Sequence, residues 1–180
     1  MARPNKRNLL LDAATEVVLS KGARALTLDA VSAAASVSKG GLLYHFKTRR
    51  SLIGAMVERL LARFSTSLPA VGGGGFVQAY VARTSDPKGA ERDVSAGLLA
   101  ALADEPQHLA PLKDQMSRWS QRAWQESPNP ALALVAMLAA DGLWYNEVLG
   151  LGGLQPDQRQ AVTDTLEKLA AQSQQKDHNP

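Results

Sequence analysis

Cysteine is absent from the chain, and aromatic residues are scarce, with three each of Phe, Tyr and Trp. Without Cys there is no disulfide framework, no thiolate metal site and no cysteine nucleophile. The histidines, at positions 45, 108 and 178, never fall at metal-ligand spacing from one another. No window offers the ~20 uncharged apolar residues that a membrane helix needs. The run Leu9-Leu10-Leu11 is cut at once by Asp12, so no secretory signal is expected. The glycine run Gly72–Gly75 lacks the Lys-Ser/Thr that would make it a phosphate loop, and no nucleophile elbow or dinucleotide fingerprint occurs. The expectation is a cytoplasmic, non-enzymatic protein with no catalytic residue, no metal, no cofactor and no membrane span.

What is present is Ala- and Leu-rich, and its apolar periodicity is helical throughout. A first helix is expected from Pro4 to Lys21, with Leu10, Ala13, Ala14, Val17 and Val18 on one face and Gly22 as its stop. Thr27 and Ser38 suit the N-caps of two short helices, Leu28–Ala35 and Lys39–Phe46, separated by a turn at Ser36-Val37. A longer fourth helix after Thr48 carries Leu52, Ile53, Met56, Val57, Leu60, Leu61 and Phe64. Gly72–Gly75 reads as a flexible loop or a loosely wound helix start. Helices then follow near Phe76, over Ala90–Asp104, along the face Leu112, Met116, Trp119 and Ala123, over Pro130–Leu149 and over Pro156–Ala171. The fold class is therefore all-α with about nine helices. Its expected parts are an N-terminal helix-turn-helix domain at 4–64 (motif about 27–46), a helical regulatory and dimerisation domain at 65–173, and a polar tail at 174–180.

The net charge of +3 conceals an asymmetry. Residues 1–65 carry 11 Lys/Arg against 4 Asp/Glu, whereas the remainder is mildly acidic. A basic third on an acidic body suggests a polyanion-binding head, although chance clustering on a solvated face would look the same. Residues 39–47 sharpen the choice. Gly40 and Gly41 open a short helix, where each costs ~1 kcal/mol relative to Ala, a cost that makes sense if the backbone must lie close to something else. Tyr44, His45 and Lys47 add donors. Arg49 and Arg50 then open the fourth helix, where cations oppose the helix dipole by ~0.3–1 kcal/mol each unless an anion such as DNA phosphate neutralises them. The alternative is that both side chains simply extend into water.

The stretch Thr27-Leu-Asp-Ala-Val-Ser-Ala-Ala-Ala-Ser-Val-Ser-Lys-Gly-Gly-Leu-Leu-Tyr-His-Phe46 resembles the DNA-binding module of the tetracycline-repressor-like (TetR/AcrR) family, in particular a subgroup with Gly-Gly-Leu-Leu-Tyr-His-Phe in its recognition helix. The resemblance covers residues 5–64, with a weaker match at Ala140-Asp-Gly-Leu-Trp144. Ser36 stands where the family usually has Gly, Leu43 where it often has Tyr, and Lys47 where Pro is common. The resemblance implies that Ser38, Lys39, Gly40, Gly41, Leu42 and Tyr44 lie along a recognition helix in the major groove of double-stranded operator DNA. It further implies that Thr27, Lys47 and Arg49 hold backbone phosphates. His45 either touches phosphate or caps the helix end, while Leu43 and Phe46 are expected in the core.

The same resemblance implies a C-terminal ligand cavity and a homodimer built from the last two helices. The near-continuous apolarity of 132–149 agrees with a buried interface, or with burial inside one monomer. Phe76, Tyr80, Met116, Trp119, Met137 and Trp144 are the candidate pocket lining, within an aromatic and methionine set that also includes Trp124 and Tyr145. Few charges point at a site, so a small apolar or aromatic effector is expected, releasing a repressor from its operator. The alternative is a DNA-binding dimer with no small-molecule effector, regulated through a protein partner.

Overall fold

The computed structural model describes residues 6–85, 95 and 109–175. Among these residues are eight α-helices, one 3-10 turn and no strand. The chain divides into two compact units. Met1–Ala62 with Lys88–Leu112 form the first, called the head, and Arg63–Pro87 with Lys113–Pro180 form the second, called the body.

The head contains α1 (Lys6–Lys21), a 3-10 turn (Ala23–Ala25), α2 (Leu28–Ala34), α3 (Lys39–His45) and most of α4 (Arg49–Thr66). Its core is aliphatic: Leu10, Leu11, Ala14, Val17 and Val18 from α1 meet Leu26, Val31, Leu42, Leu52, Ile53 and Met56, with Phe46 the aromatic member. Removing each large side chain from water contributes roughly 1.5–3 kcal/mol. Helix ends are set locally. Thr27 Oγ1 accepts from Ala30 N at 3.1 Å and Ser38 Oγ from Gly41 N at 3.2 Å, as N-caps should. Thr48 and Ser51 cap α4 reciprocally, each hydroxyl accepting from the other's backbone N–H at 3.0 and 3.3 Å. Gly22 ends α1 at φ 78°. Helix α2 ends in a paired motif, Ser36 N to Ala33 O and Val37 N to Ser32 O, that places Ser36 at φ 53°. Arg59 binds α4 to α1 through Asp12 (2.6 Å), Leu11 O and Thr15 Oγ1 (both 2.7 Å).

The body contains α5 (Phe76–Ser85), α6 (Ala110–Glu126, from residue 113), α7 (Pro130–Val148) and α8 (Pro156–Gln172), along with the last turn of α4. Helix α5 packs on both α7 and α8, which also pack on each other. Asn129 caps α7 by accepting from Leu132 N at 3.2 Å, with Pro130 opening the helix. Gln155 and Gln158 form a capping box for α8. Arg159 ties α8 to Glu147 on α7 and to Ser85 O at the end of α5. The glycine run is a turn, with Gly72, Gly74 and Gly75 at positive φ. Arg122 holds that turn through Pro69 O (2.9 Å) and Ala70 O (2.7 Å) and lies 4.1 Å from the Phe76 ring centroid.

The expected helix over 90–104 lies outside the described residues except at Ser95, which is helical. Helix α7 is not buried nearly all round in the single chain, because Ala131, Val135, Leu138, Gly142, Tyr145 and Leu149 form an exposed stripe. Their spacing alternates between four and three residues, which keeps them on one seam of a helix.

Candidate functional site

In the head, α3 turns one side to the core and the other to water. Leu42 is 0% exposed and Phe46 is buried, while Leu43 is 37% and Tyr44 84% exposed. This reverses the expectation for the two leucines. Leu42 is a core residue and does not line a groove, and Leu43 is the outward one. With 100° between neighbours, the side chain that shares the buried side with Phe46, four residues on, is Leu42. Phe46 takes the expected core position, under the Arg7 guanidinium at 5.5 Å.

The two glycines have different explanations. A Cβ on Gly41 would sit 3.0 Å from Val37 Cγ1 and 3.3 Å from Ser38 Oγ, so a side chain there would press on both and they would have to give by a few tenths of an ångström. A Cβ on Gly40 would meet nothing within 4 Å. Gly41 thus has a packing reason within the chain itself, whatever lies outside it. For Gly40 the chain's own packing supplies no reason for glycine.

Thr27, Ser38, Lys39, Gly40, Tyr44 and Lys47 are all exposed. Lys39 Nζ lies 2.8 Å from Asp29 Oδ1, an exposed pair worth no more than ~1 kcal/mol and readily exchanged for another anion. His45 is half-buried and meets the Tyr44 ring edge-on at 5.1 Å. Arg49 departs most from expectation. Its Nε donates to Leu26 O at 2.7 Å and its Nη2 to Ala23 O at 3.3 Å. Two backbone carbonyls therefore take two of the five guanidinium N–H donors at the start of α4. Arg50 beside it is exposed.

In the body, four expected pocket residues come together. Tyr80 meets Trp119 at 5.6 Å and Phe76 at 6.2 Å between ring centroids, and its hydroxyl lies 3.8 Å from Met116 Sδ. Phe64 joins them, 5.0 Å from Trp119 and 5.4 Å from Tyr80. Trp144 is not part of that group and pairs with Tyr145 at 5.0 Å. Met137 is buried.

Sequence reasoning missed the polar centre of this cluster. The Tyr80 hydroxyl donates to Asp141 Oδ1 at 2.8 Å. Burial pushes the Asp141 carboxyl up to about 6, with the Tyr80 hydrogen bond opposing the rise. Burial first, and then the Asp141 charge, raise the hydroxyls of Tyr80 and Tyr145 above the usual phenol range. The available signal was an acidic residue inside the most apolar helix of the chain. Among the described residues no group of three or more His, Asp or Glu could hold a metal ion, and no helix is long and apolar enough to cross a membrane.

A family profile described as "Bacterial regulatory proteins, tetR family" matches residues 10–56, and one described as "Tetracyclin repressor-like, C-terminal domain" matches residues 74–171. Among solved structures, the fold is similar to that of a transcriptional regulator from Rhodococcus sp. Rha1, with 20% identity over 93% of this chain and 97% of that one and a TM-score of 0.72. It is also similar to the multidrug binding protein EbrR complexed with malachite green, with 22% identity over 92% and 98% and a TM-score of 0.63. The same protein complexed with ethidium gives 20% identity over 92% and 98% and a TM-score of 0.66. No curated protein sequence matches the chain.

Proposed function

This chain belongs to the TetR family of bacterial transcriptional regulators, and from that premise we propose that it is a ligand-responsive repressor that grips operator DNA with α3 and releases it when the body binds a small effector. It works in the cytoplasm as a homodimer. Residues 4–64 serve as the DNA-binding half and 65–173 as the regulatory half, with the Gly-Gly-Leu-Leu-Tyr-His-Phe recognition helix placing it in the corresponding subgroup.

The observation that carries the DNA-binding reading is the outward side of α3. Tyr44 stands almost wholly in water, Leu43 and Gly40 face out beside it, and Lys39 and Lys47 flank them. A helix kept only for packing has no use for an exposed Tyr or for a glycine whose Cβ would touch nothing. On a duplex these residues have distinct uses. Lys39 and Tyr44 reach base edges, Leu43 meets thymine methyls, and Gly40 lets the backbone approach. Thr27, Ser38, His45 and Lys47 position the helix on phosphates, which fixes register without reading sequence. Arg49 is left out of the phosphate set because two of its five N–H donors are taken by Leu26 O and Ala23 O, and Leu42 out of the base-reading set because it is buried.

The α7 stripe supports the dimer. Val135 is 53% and Leu138 67% exposed, more apolar surface than a lone helix leaves in water without a partner. Paired α7 and α8 helices from two chains would bury it as a four-helix bundle. The effector reading rests on the Phe64, Phe76, Tyr80, Met116 and Trp119 cluster. EbrR, of similar fold, is described as a multidrug binding protein and was solved with malachite green and with ethidium. Binding would shift the dimer towards a quaternary state whose recognition helices no longer match the half-sites, which requires the effector to prefer that state.

The test is a salt titration of the purified dimer against the promoters of its neighbouring genes. Lys47→Ala is expected to weaken binding and reduce the salt slope by about one, as loss of one phosphate contact does. Tyr44→Ala is expected to weaken the specific complex with the slope retained. Absence of any sequence-preferring complex would overturn the reading.

A further inference from the structure

Asp141 is an acid with little to hold it. Among the described residues its hydrogen-bonding partner is the neutral Tyr80 hydroxyl, at 2.8 Å. No Lys, Arg or His side chain pairs with it there, whereas Glu126 has Arg122 at 3.0 Å and Glu147 has Arg159. Its neighbours across Tyr80 are the thioether of Met116 and the rings of Trp119 and Phe64. If Tyr80 needed only an acceptor, an amide or a backbone carbonyl would serve without the cost of burying a charge. A carboxylate with no counter-cation among the described residues, bonded to a tyrosine that itself packs on aromatic rings and a polarisable sulfur, is an environment that favours a positive guest twice over, through the charge and through the ring quadrupoles. A neutral apolar guest would only deepen the desolvation of the acid, and an anion would be repelled. Asp141, Met116 and Trp144 are each only partly buried, so the carboxylate is reachable in the folded protein.

We propose that the Asp141–Tyr80 pair is the recognition point for a monovalent organic cation, a quaternary ammonium, phosphonium or protonated amine carrying aromatic or bulky alkyl groups. The proposal rests on the effector-binding reading of the body and names the chemical class of that effector. Asp141 supplies the counter-charge, and the rings of Tyr80, Trp119 and Phe64 supply the apolar and cation–π surface. Tyr80 orients the carboxylate by donating to Oδ1, which leaves Oδ2 for the guest. The raised pKa of the acid is the expected mark of a negative charge waiting for a partner.

Calorimetry on the full-length protein at pH 8 tests this, with tetraphenylphosphonium as the cation and triphenylphosphine oxide as a neutral compound of related shape. The cation is expected to bind at least tenfold more tightly. Asp141→Asn, whose amide oxygen still accepts from Tyr80, is expected to bring the two within about threefold of each other, with a melting temperature no lower than that of the parent. The parent protein at pH 5 provides the same comparison without substitution. Among the described residues the titratable groups facing Asp141 are Tyr80 from α5 and Tyr145 from its own helix, both neutral from pH 5 to pH 8, so protonation of Asp141 should weaken the cation alone. Equal affinity for the two compounds, no binding of the cation, or cation binding unchanged in Asp141→Asn would overturn the proposal. Operator release by neutral compounds separates the two levels: if it occurs while the cation fails, the effector reading stands and the cation assignment falls.

Discussion

In the head, the described interior is aliphatic except for Phe46 and the thioether of Met56. In the body, several rings, a thioether and a partly buried acid come together. The buried side-chain oxygens left without a partner among the described residues, Gln78 Oε1, Ser85 Oγ, Glu126 Oε2 and Thr163 Oγ1, all belong to the body. So do the buried polar residues Ser85, Ser127 and Ser173, and so does the exposed apolar stripe on α7. Among its described residues the head leaves no buried side-chain N or O atom without a partner. The body carries interior polarity and exterior apolarity that a single chain leaves uncompensated. That difference suits the proposed division between a reading element and a part that would respond to a guest and to a second copy.

The comparison is broken most forcefully at the α7 stripe. Leu138→Glu sets two like charges against each other across the proposed interface and is expected to weaken the dimer by about 3 kcal/mol, on the order of a hundredfold, with operator affinity falling alongside. Sedimentation at micromolar concentration checks it, and an unchanged dimer would remove the body's claim to an open interface. Next is Leu42→Ala, which should cost roughly 2–5 kcal/mol as a buried truncation does, against under about 0.5 kcal/mol for Leu43→Ala. Denaturant melts of the two variants would show whether the head's core is as closed as described.

Asp141 gives the body's counterpart, with the sign reversed. Its carboxyl titrates near 6 in the folded protein against 3.8 as its ordinary value, so the folded state holds the proton more tightly than the unfolded one. Stability from this group is full below about pH 4 and is lost as pH rises through 6, by up to about 3 kcal/mol. Asp141→Asn is therefore expected to stabilise the protein at pH 7.5 and to lose that advantage near pH 4, which melting curves at the two pH values would reveal. In the head, Arg49→Gln should cost about 1–2 kcal/mol through two lost bonds to Leu26 O and Ala23 O. Its salt slope for operator binding should stay unchanged, whereas a slope lower by about one would restore Arg49 as a phosphate ligand. The smallest effect is at the turn. Ser36→Gly relieves a non-glycine residue at φ 53° and should stabilise the head by about 0.5–1 kcal/mol, a shift of a few degrees in melting temperature.

Much of this architecture could be read from local pattern. The stop at Gly22, the caps at Thr27, Ser38 and Asn129, and the start of α4 after Thr48 depend on interactions within three or four residues, which short-range chemistry encodes directly. Ser36 in place of the usual glycine likewise marked the strained turn. The choice between Leu42 and Leu43 could not be read, because on a helix of two turns neighbouring leucines are equivalent until a core lies on one side.

Composition, periodicity and capping residues thus settled the helical class and the order of the described helices, since each acts over a few residues or over the whole chain. The partners of Arg49 and Asp141 lie 23 and 61 residues away along the chain, and no local pattern couples positions so far apart. Folding brought Arg49 to carbonyls and gave Asp141 a tyrosine, with no counter-cation among the described residues. A charged side chain takes its role from whichever groups share its low-dielectric surroundings, and those surroundings exist only once the helices have packed.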